Sequence, residues 1–239
     1  IRIISTKIKG RLVSALADDF DIKEFKISED VDGEVSFNIG DIIVGRVENI
    51  VKNINACFVE IFPGIQAYLP LSDEMKIIYA NGKPGGRPVV NDLILVQIAK
   101  LPTKTKSYSL TTDFTFMGKY AVLKPNLDRV HLSTKYREEE NFREIRDRFL
   151  PVSEKFVRET GAGAIIRKSA AALSEKELED TLYDLYVKFI SIINRGRHGV
   201  KYERIFKDIF CFQTACLIRK TMFANFDLGV FLLAVLPVL

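Results

Sequence analysis

Two aromatic residues, Phe58 and Tyr68, stand in neighbouring β-rich runs, and Arg46, Lys52, Lys100, Lys104 and Lys106 accompany them in sequence. Rings beside cations suit one kind of chemistry. Each base stacked on a ring contributes about 1–3 kcal/mol, and Lys and Arg meet the phosphates, so the ligand this pattern calls for is single-stranded nucleic acid. For either ring alone a place in a hydrophobic core is an equal alternative; the joint pattern is what points to a ligand.

Short strands must position such rings. Gly40-Asp-Ile-Ile-Val-Gly-Arg-Val, Asn55-Ala-Cys-Phe-Val-Glu-Ile, Gln66-Ala-Tyr-Leu-Pro-Leu, Leu93-Ile-Leu-Val-Gln-Ile-Ala-Lys and Tyr108-Ser-Leu-Thr-Thr are each bounded by Gly, Pro, Asn or Lys. Five such runs at this spacing fit a small closed barrel of the OB type better than a sandwich. Between the third and fourth, residues 72–90 contain Asn81-Gly-Lys-Pro-Gly-Gly-Arg-Pro. That density of Gly and Pro excludes a packed helix and predicts a mobile basic loop at the barrel rim. A second loop, Leu101-Pro-Thr-Lys-Thr-Lys-Ser, joins the last two runs. Such loops either line the groove of an OB fold or are solvated linkers.

On either side the pattern differs. Residues 1–35 alternate apolar and polar in short pieces, with Asp18-Asp19 and Asp32-Gly33 as turn signals, and read as a β-hairpin or small meander. After Thr112, residues 116–125 and 129–133 read as strands, and 137–150 as a helix with Phe142, Ile145 and Phe149 on one face. Residues 162–167 read as a buried strand. Ser174 and Glu177 have the spacing of a capping box before a long amphipathic helix carrying Leu178, Leu182, Leu185, Phe189 and Ile192 and ending near Gly196. The expectation is an α+β subdomain packed on the barrel.

The whole chain sets bounds. With 239 residues, 47% hydrophobic and 28% charged, it has the composition of a soluble globular protein rather than a disordered one. A net charge of +4 leans only mildly toward polyanions. Cys57, Cys211 and Cys216 are odd in number, which points to reduced thiols in the cytoplasm. His131 and His198 are isolated, so neither they nor the cysteines form a zinc framework. There is no signal-peptide pattern, and no apolar run reaches the ~18–20 residues that a membrane span needs.

Gly40 to Val47, Ala56-Cys-Phe-Val-Glu, Tyr68-Leu-Pro-Leu and Leu110-Thr-Thr, in that order, resemble the RNA-binding barrel of the ribonuclease E/G family, a domain of the ribosomal protein S-one type. The resemblance runs roughly from Leu12 to Phe210. It implies an α+β fold in which a five-stranded OB-type barrel (residues 39–113) is inserted in an RNase H-like segment. The leading part of that segment would be residues 1–38, and its partial return, with an apolar tail, residues 199–239. Residues 114–198 would form an α+β 5′-sensor, the subdomain that receives a 5′-monophosphorylated RNA end. Three stretches carry this part of the likeness: Phe116 to Pro125, Leu132-Ser-Thr-Lys135, and Gly161-Ala-Gly-Ala-Ile-Ile-Arg-Lys-Ser. By resemblance, Gly118 and Val122 contact the terminal nucleotide, Lys135 adds a cation, and Arg167 with its followers holds the phosphate.

A guanidinium fork suits a phosphate monoester, although pairing with a helix carboxylate is the alternative for Arg167. The family has Thr after that Arg; this chain has Lys168 and then Ser169. The implied barrel contacts are Phe58, Tyr68, Lys106, Arg46, Lys100 and Lys104, and the implied partner is single-stranded RNA. The family's hydrolytic centre holds magnesium with paired aspartates. Where Asp227-Leu-Gly229 echoes its lead-in, valines stand at the ligand positions, so no cleavage residue is named and the chain is expected to need no cofactor and to be inactive alone. The Cys-Pro-x-Cys zinc link of the family's tetramer is absent, so self-association would need another surface. The alternative reading is a stand-alone RNA-binding regulator without nuclease activity.

Overall fold

The computed structural model describes residues 2–8, 11–17, 22–28, 37–136 and 141–208. The first three of these stretches belong to one compact unit and residues 37–208 to another. In the first, β1 (Arg2–Ile8), β2 (Arg11–Ala17) and β3 (Ile22–Ser28) form an antiparallel meander, with Ser5 opposite Ser14 and Ser14 opposite Lys26. The small meander expected from the alternation is there.

In the second unit, β4 (Ile42–Val51), β5 (Ala56–Phe62), β6 (Ile65–Pro70), β7 (Leu93–Lys100) and β8 (Tyr108–Thr111) pair in the order β4-β5-β6-β8-β7, and β7 closes back on β4. Within the barrel only β6 and β8 run parallel. That closure is the OB arrangement. Alternation along the strands sends Cys57, Val59, Ile61, Ala67, Leu69, Ile94, Val96 and Ile98 inward, all buried. Gly45 is required where β4 crosses β5, because a Cβ there would stand 2.4 Å from Val59 Cγ1.

The barrel is followed by β9 (Phe116–Met117), β10 (Ala121–Lys124), β11 (Val130–Leu132), α1 (Phe142–Thr160), β12 (Gly163–Ile166), α2 (Glu175–Arg197) and β13 (Arg204–Phe206). The first three strands and β12 form a sheet ordered β11-β12-β10-β9. The run expected as one strand over 116–125 is a hairpin, turned at Gly118–Tyr120, with the Gly118 amide donating to Ala121 O. Helix α1 passes the expected end at Leu150 and continues through Pro151. An interior proline costs about 3 kcal/mol. Burying Val152 and Phe156 beyond it returns about 1.5–3 kcal/mol each, so the helix continues. Helix α2 has the predicted capping box, Ser174 Oγ accepting from the Glu177 amide and Glu177 from the Ser174 amide.

One apolar cluster joins barrel and α+β part. Ile42, Val44 and Leu95 point out of the barrel and pack with Ile192 and Ile193 of α2 and Ile205 of β13. A Cβ at Gly196 would stand 2.5 Å from Leu95, so glycine is what lets α2 lie this close to β7. The residues from 199 on, expected to begin a return segment, first add β13 to the edge of β4, with Arg204 opposite Ile43. Buried Asp41 ties the ends together by accepting from the amides of Asn38 (3.0 Å) and Asp208 (2.9 Å) and pairing with Arg204 (3.5 Å). The rest of this segment, with its apolar tail, lies outside the described residues.

Candidate functional site

Among the described residues, α2 and β13 cover the outer side of β4 and β7 and not that of β5 and β6, where Phe58 and Tyr68 lie. Both are half-buried cross-strand partners, with ring centroids 6.2 Å apart in an edge-to-face arrangement. Neither is barrel core. The register extends their row: Asn49 lies opposite Phe58, Ser109 opposite Tyr68, and Lys100 opposite Ser109. Two strand spacings, roughly 10 Å, therefore separate Tyr68 from the exposed Lys100. Lys104 and Lys106 are exposed on the hairpin between β7 and β8, closed by a bridge between Thr103 and Lys106. Lys52 begins a 3-10 turn between β4 and β5. An OB fold offers ligands this strand pair and these two loops.

Arg46 is placed differently from the other cations. Its register partner is Glu60, and its guanidinium pairs with Glu60 at 2.8 Å and Glu48 at 2.9 Å and also donates to Asn91. Its charge is balanced within the barrel wall, whereas the lysines keep theirs. Glu60 also accepts from the Tyr202 hydroxyl and lies 3.8 Å from Lys201 Nζ. The hydrogen bonds from Tyr202 and Arg46 hold the Glu60 carboxyl down at about 2, so next to Phe58 the wall carries a neutralised carboxylate rather than a bare one. Sequence gave no hint of this cluster, because Tyr202 is 142 residues from Glu60.

The glycine-rich loop is tied down, contrary to the mobile loop expected. Lys83 Nζ contacts Asp92 at 2.7 Å, donates to Arg87 O and lies over the Tyr79 ring, while Tyr79 donates to Gly86 O at 2.7 Å. Arg87 pairs with Asp73 in an exposed ion pair. Between this loop and residues 71–77 is a cavity of about 690 Å³.

In the α+β part, Arg167 follows β12 directly, and one guanidinium nitrogen donates to Gly118 O at 3.0 Å. This contact, not a helix carboxylate, positions the side chain. Ser169 Oγ donates to Lys119 O at 2.6 Å, and the Arg167 amide donates to Tyr120 O. Arg167, Ser169 and Gly118 are thus brought together around the 118–120 turn. Val122 lies beside Ile165 on β12, which has His131 of β11 on its other side. Lys168 and Lys135 are exposed on short 3-10 turns. A cation the sequence reading missed, Lys119, sits in this turn with its ammonium over the Tyr120 ring. Gly118 is needed because a Cβ there would meet Ala121 O at 2.9 Å and Leu185 at 3.1 Å.

Among the described residues no group of three or more His, Cys, Asp or Glu could hold a metal ion; Asp227 lies outside them. Cys57 is buried, and burial pushes its thiol up to about 11, which leaves it unreactive at neutral pH. No described helix is long and apolar enough to cross a membrane.

Fold and site define a class: an OB-barrel protein fused along β4 and β7 to an α+β subdomain. Residues 115–227 match the model of the ribonuclease E/G family. The chain is 31% identical over 150 residues to Ribonuclease G of Escherichia coli (strain K12), covering 59% of this chain and 30% of that protein. It is 28% identical over 162 residues to Ribonuclease E of a Nostoc species, covering 66% and 23%. With the Ribonuclease E/G-like protein of Porphyra purpurea it shares 28% over 176 residues, covering 72% and 33%. These matches support membership of the ribonuclease E/G family. The chain matches about a quarter to a third of the length of these curated relatives.

Proposed function

We propose that this chain is the RNA-binding part of a ribonuclease E/G-like endoribonuclease specific for single strands, acting in RNA processing and decay, and that it holds both the body of an RNA and its 5′-monophosphate end. The observation that carries the reading is the half-buried Phe58–Tyr68 pair on a barrel face that α2 and β13 do not cover, in a row with Lys100. Bases stack on the rings, and Lys100, Lys104 and Lys106 meet phosphates. At the other site, Arg167 presents the donors not used on Gly118 O to a terminal phosphate, with Lys119, Lys168 and Lys135 as nearby cations in sequence or fold. Gly118 and Val122 line the place of the terminal base. Arg46, paired with Glu60, supports the wall beside the rings. The reading assigns hydrolysis, with its magnesium, to residues outside those described, and places the protein in the cytoplasm.

The test is a comparison of two otherwise identical single-stranded RNAs, one 5′-monophosphorylated and one 5′-hydroxylated, by fluorescence anisotropy over a salt series. Tighter binding of the monophosphate that disappears in Arg167→Ala is expected. Equal binding of both removes the 5′-end assignment, and binding of neither removes the RNA reading altogether.

A further inference from the structure

The cavity between residues 71–77 and 85–88 has no part in the reading so far, yet it adjoins the aromatic pair. Phe58 lies opposite Tyr68 and Ala56 opposite Pro70, and the next step of the same ladder is the Leu71 amide donating to Asn55 O at 2.7 Å. Asn55 and Leu71 are lining residues of the cavity. The distance from ring pair to cavity mouth is three residues of strand, roughly 10 Å. Lys100 lies across the strands from the rings and the cavity lies along them, so a strand of RNA stacked on the pair has one neighbour within reach of each.

The interior suits a nucleotide. Its volume of about 690 Å³ lies within the range of small-ligand sites. Half-buried Met75 and Ile77 give it an apolar side against which a base can lie. The Asn55 carboxamide and the Lys76 ammonium, both lining it, make no hydrogen bond or ion pair with other described residues. An amide offers a base edge both a donor and an acceptor, and the ammonium is a point charge for a phosphate. Arg87 is engaged, but only by Asp73, and the two side chains are 77% and 85% exposed. So exposed a pair contributes little, and a phosphate can take the place of the carboxylate without a large loss. The backbone that carries Arg87 is fixed by the bonds of Lys83 and Tyr79, so the site is preformed.

We propose that this cavity is a second nucleotide subsite, which receives a nucleotide adjoining those stacked on Phe58 and Tyr68, with Lys76 and Arg87 on its phosphate, Asn55 on its base edge, and Asp73 as a competitor for Arg87. The proposal rests on the RNA-binding reading above. It gives the barrel a binding track longer than its ring pair and makes that track tunable through one carboxylate.

The experiment compares a tetrauridylate with an octauridylate on the full chain and four variants. In the expected result, Lys76→Ala weakens the octamer about tenfold and leaves the tetramer unchanged. Asp73→Ala strengthens octamer binding about two- to fivefold, a gain that a damaged fold cannot produce. Arg87→Ala abolishes that gain when combined with Asp73→Ala. Phe58→Ala weakens both oligomers. If the cavity variants shift tetramer and octamer alike, or Asp73→Ala leaves the octamer unaffected, the subsite is overturned while a loss in Phe58→Ala still upholds RNA binding. If the unaltered chain binds neither oligomer, the RNA-binding reading falls and takes the subsite with it.

Discussion

The hydroxyl of Tyr202, which follows α2, donates to Glu60 on β5, and the Tyr202 ring packs on that of Phe62, centroids 6.3 Å apart. The second unit is therefore fastened across the barrel wall by a carboxylate whose proton affinity changes on folding. Its folded value is about 2, lowered first by the Tyr202 hydrogen bond and then by Arg46, against about 4.3 for an unfolded glutamate. A depressed carboxylate stabilises the fold fully above its unfolded value and progressively less as pH falls toward its folded one. Melting temperatures measured from pH 6 down to pH 2 should fall within this window. The fall should be smaller in Glu60→Gln, which starts from a lower plateau; an identical pH slope in the variant would remove Glu60 from the account.

Phe58→Ala and Tyr68→Ala should separate binding from stability. A stacked base contributes about 1–3 kcal/mol, whereas the edge-to-face contact between the rings contributes about 0.5–1.5 kcal/mol. Affinity for single-stranded RNA should therefore drop about 5- to 150-fold in each variant with the fold intact by circular dichroism. Unchanged affinity would place RNA on another face.

Lys106→Ala and Arg46→Ala should differ in kind. Removing a phosphate contact lowers the slope of log affinity against log salt by about one. Lys106→Ala should do this with little change in melting temperature. Arg46→Ala should lower the melting temperature, because it removes the guanidinium that Glu48 and Glu60 share, and should affect the salt slope less.

Lys168→Thr should raise the preference for 5′-monophosphorylated over 5′-hydroxylated RNA, since a hydroxyl donor next to Arg167 adds a directed bond where lysine offers a point charge. Binding constants for the two RNAs decide it, and a reduced preference would make Lys168 the better phosphate ligand.

Gly196→Ala should destabilise the second unit by about 1–3 kcal/mol, the usual cost of an overpacked contact. The new Cβ meets Leu95 at 2.5 Å, with barrel strand on one side and helix on the other. A melting temperature lowered by several degrees, with RNA affinity preserved in the folded state, is the expected result.

The barrel strands, the capping box and the apolar stripe of α2 were legible because they rest on local periodicity and on residues three or four positions apart. The exposure of Phe58 and Tyr68 was legible only as a joint pattern. Which outer face of a barrel stays open depends on what covers the other, here Ile192, Ile193 and Ile205 arriving from far along the chain. Arg46 read as one more cation because its partner Glu60 is set by strand register, which the composition of either strand does not fix. Lys119 was passed over because the hairpin that presents it read as one continuous strand. The end of α1 is not legible locally, because burial of Val152 and Phe156 outweighs the local cost of Pro151.

The strand added by β13 has a consequence for synthesis and for dissection. The pairing partner of Ile43 on that side is Arg204, so the edge of β4 stays open until nearly all of the second unit has been made. Contacts this distant along the chain slow folding, and an open edge invites pairing with other chains in the interval. A barrel excised at residues 39–113 would keep that edge uncovered permanently, together with the outward side chains of Ile42, Val44 and Leu95. A three-residue strand at the far end of the unit thus completes what the five strands that close the barrel leave uncovered.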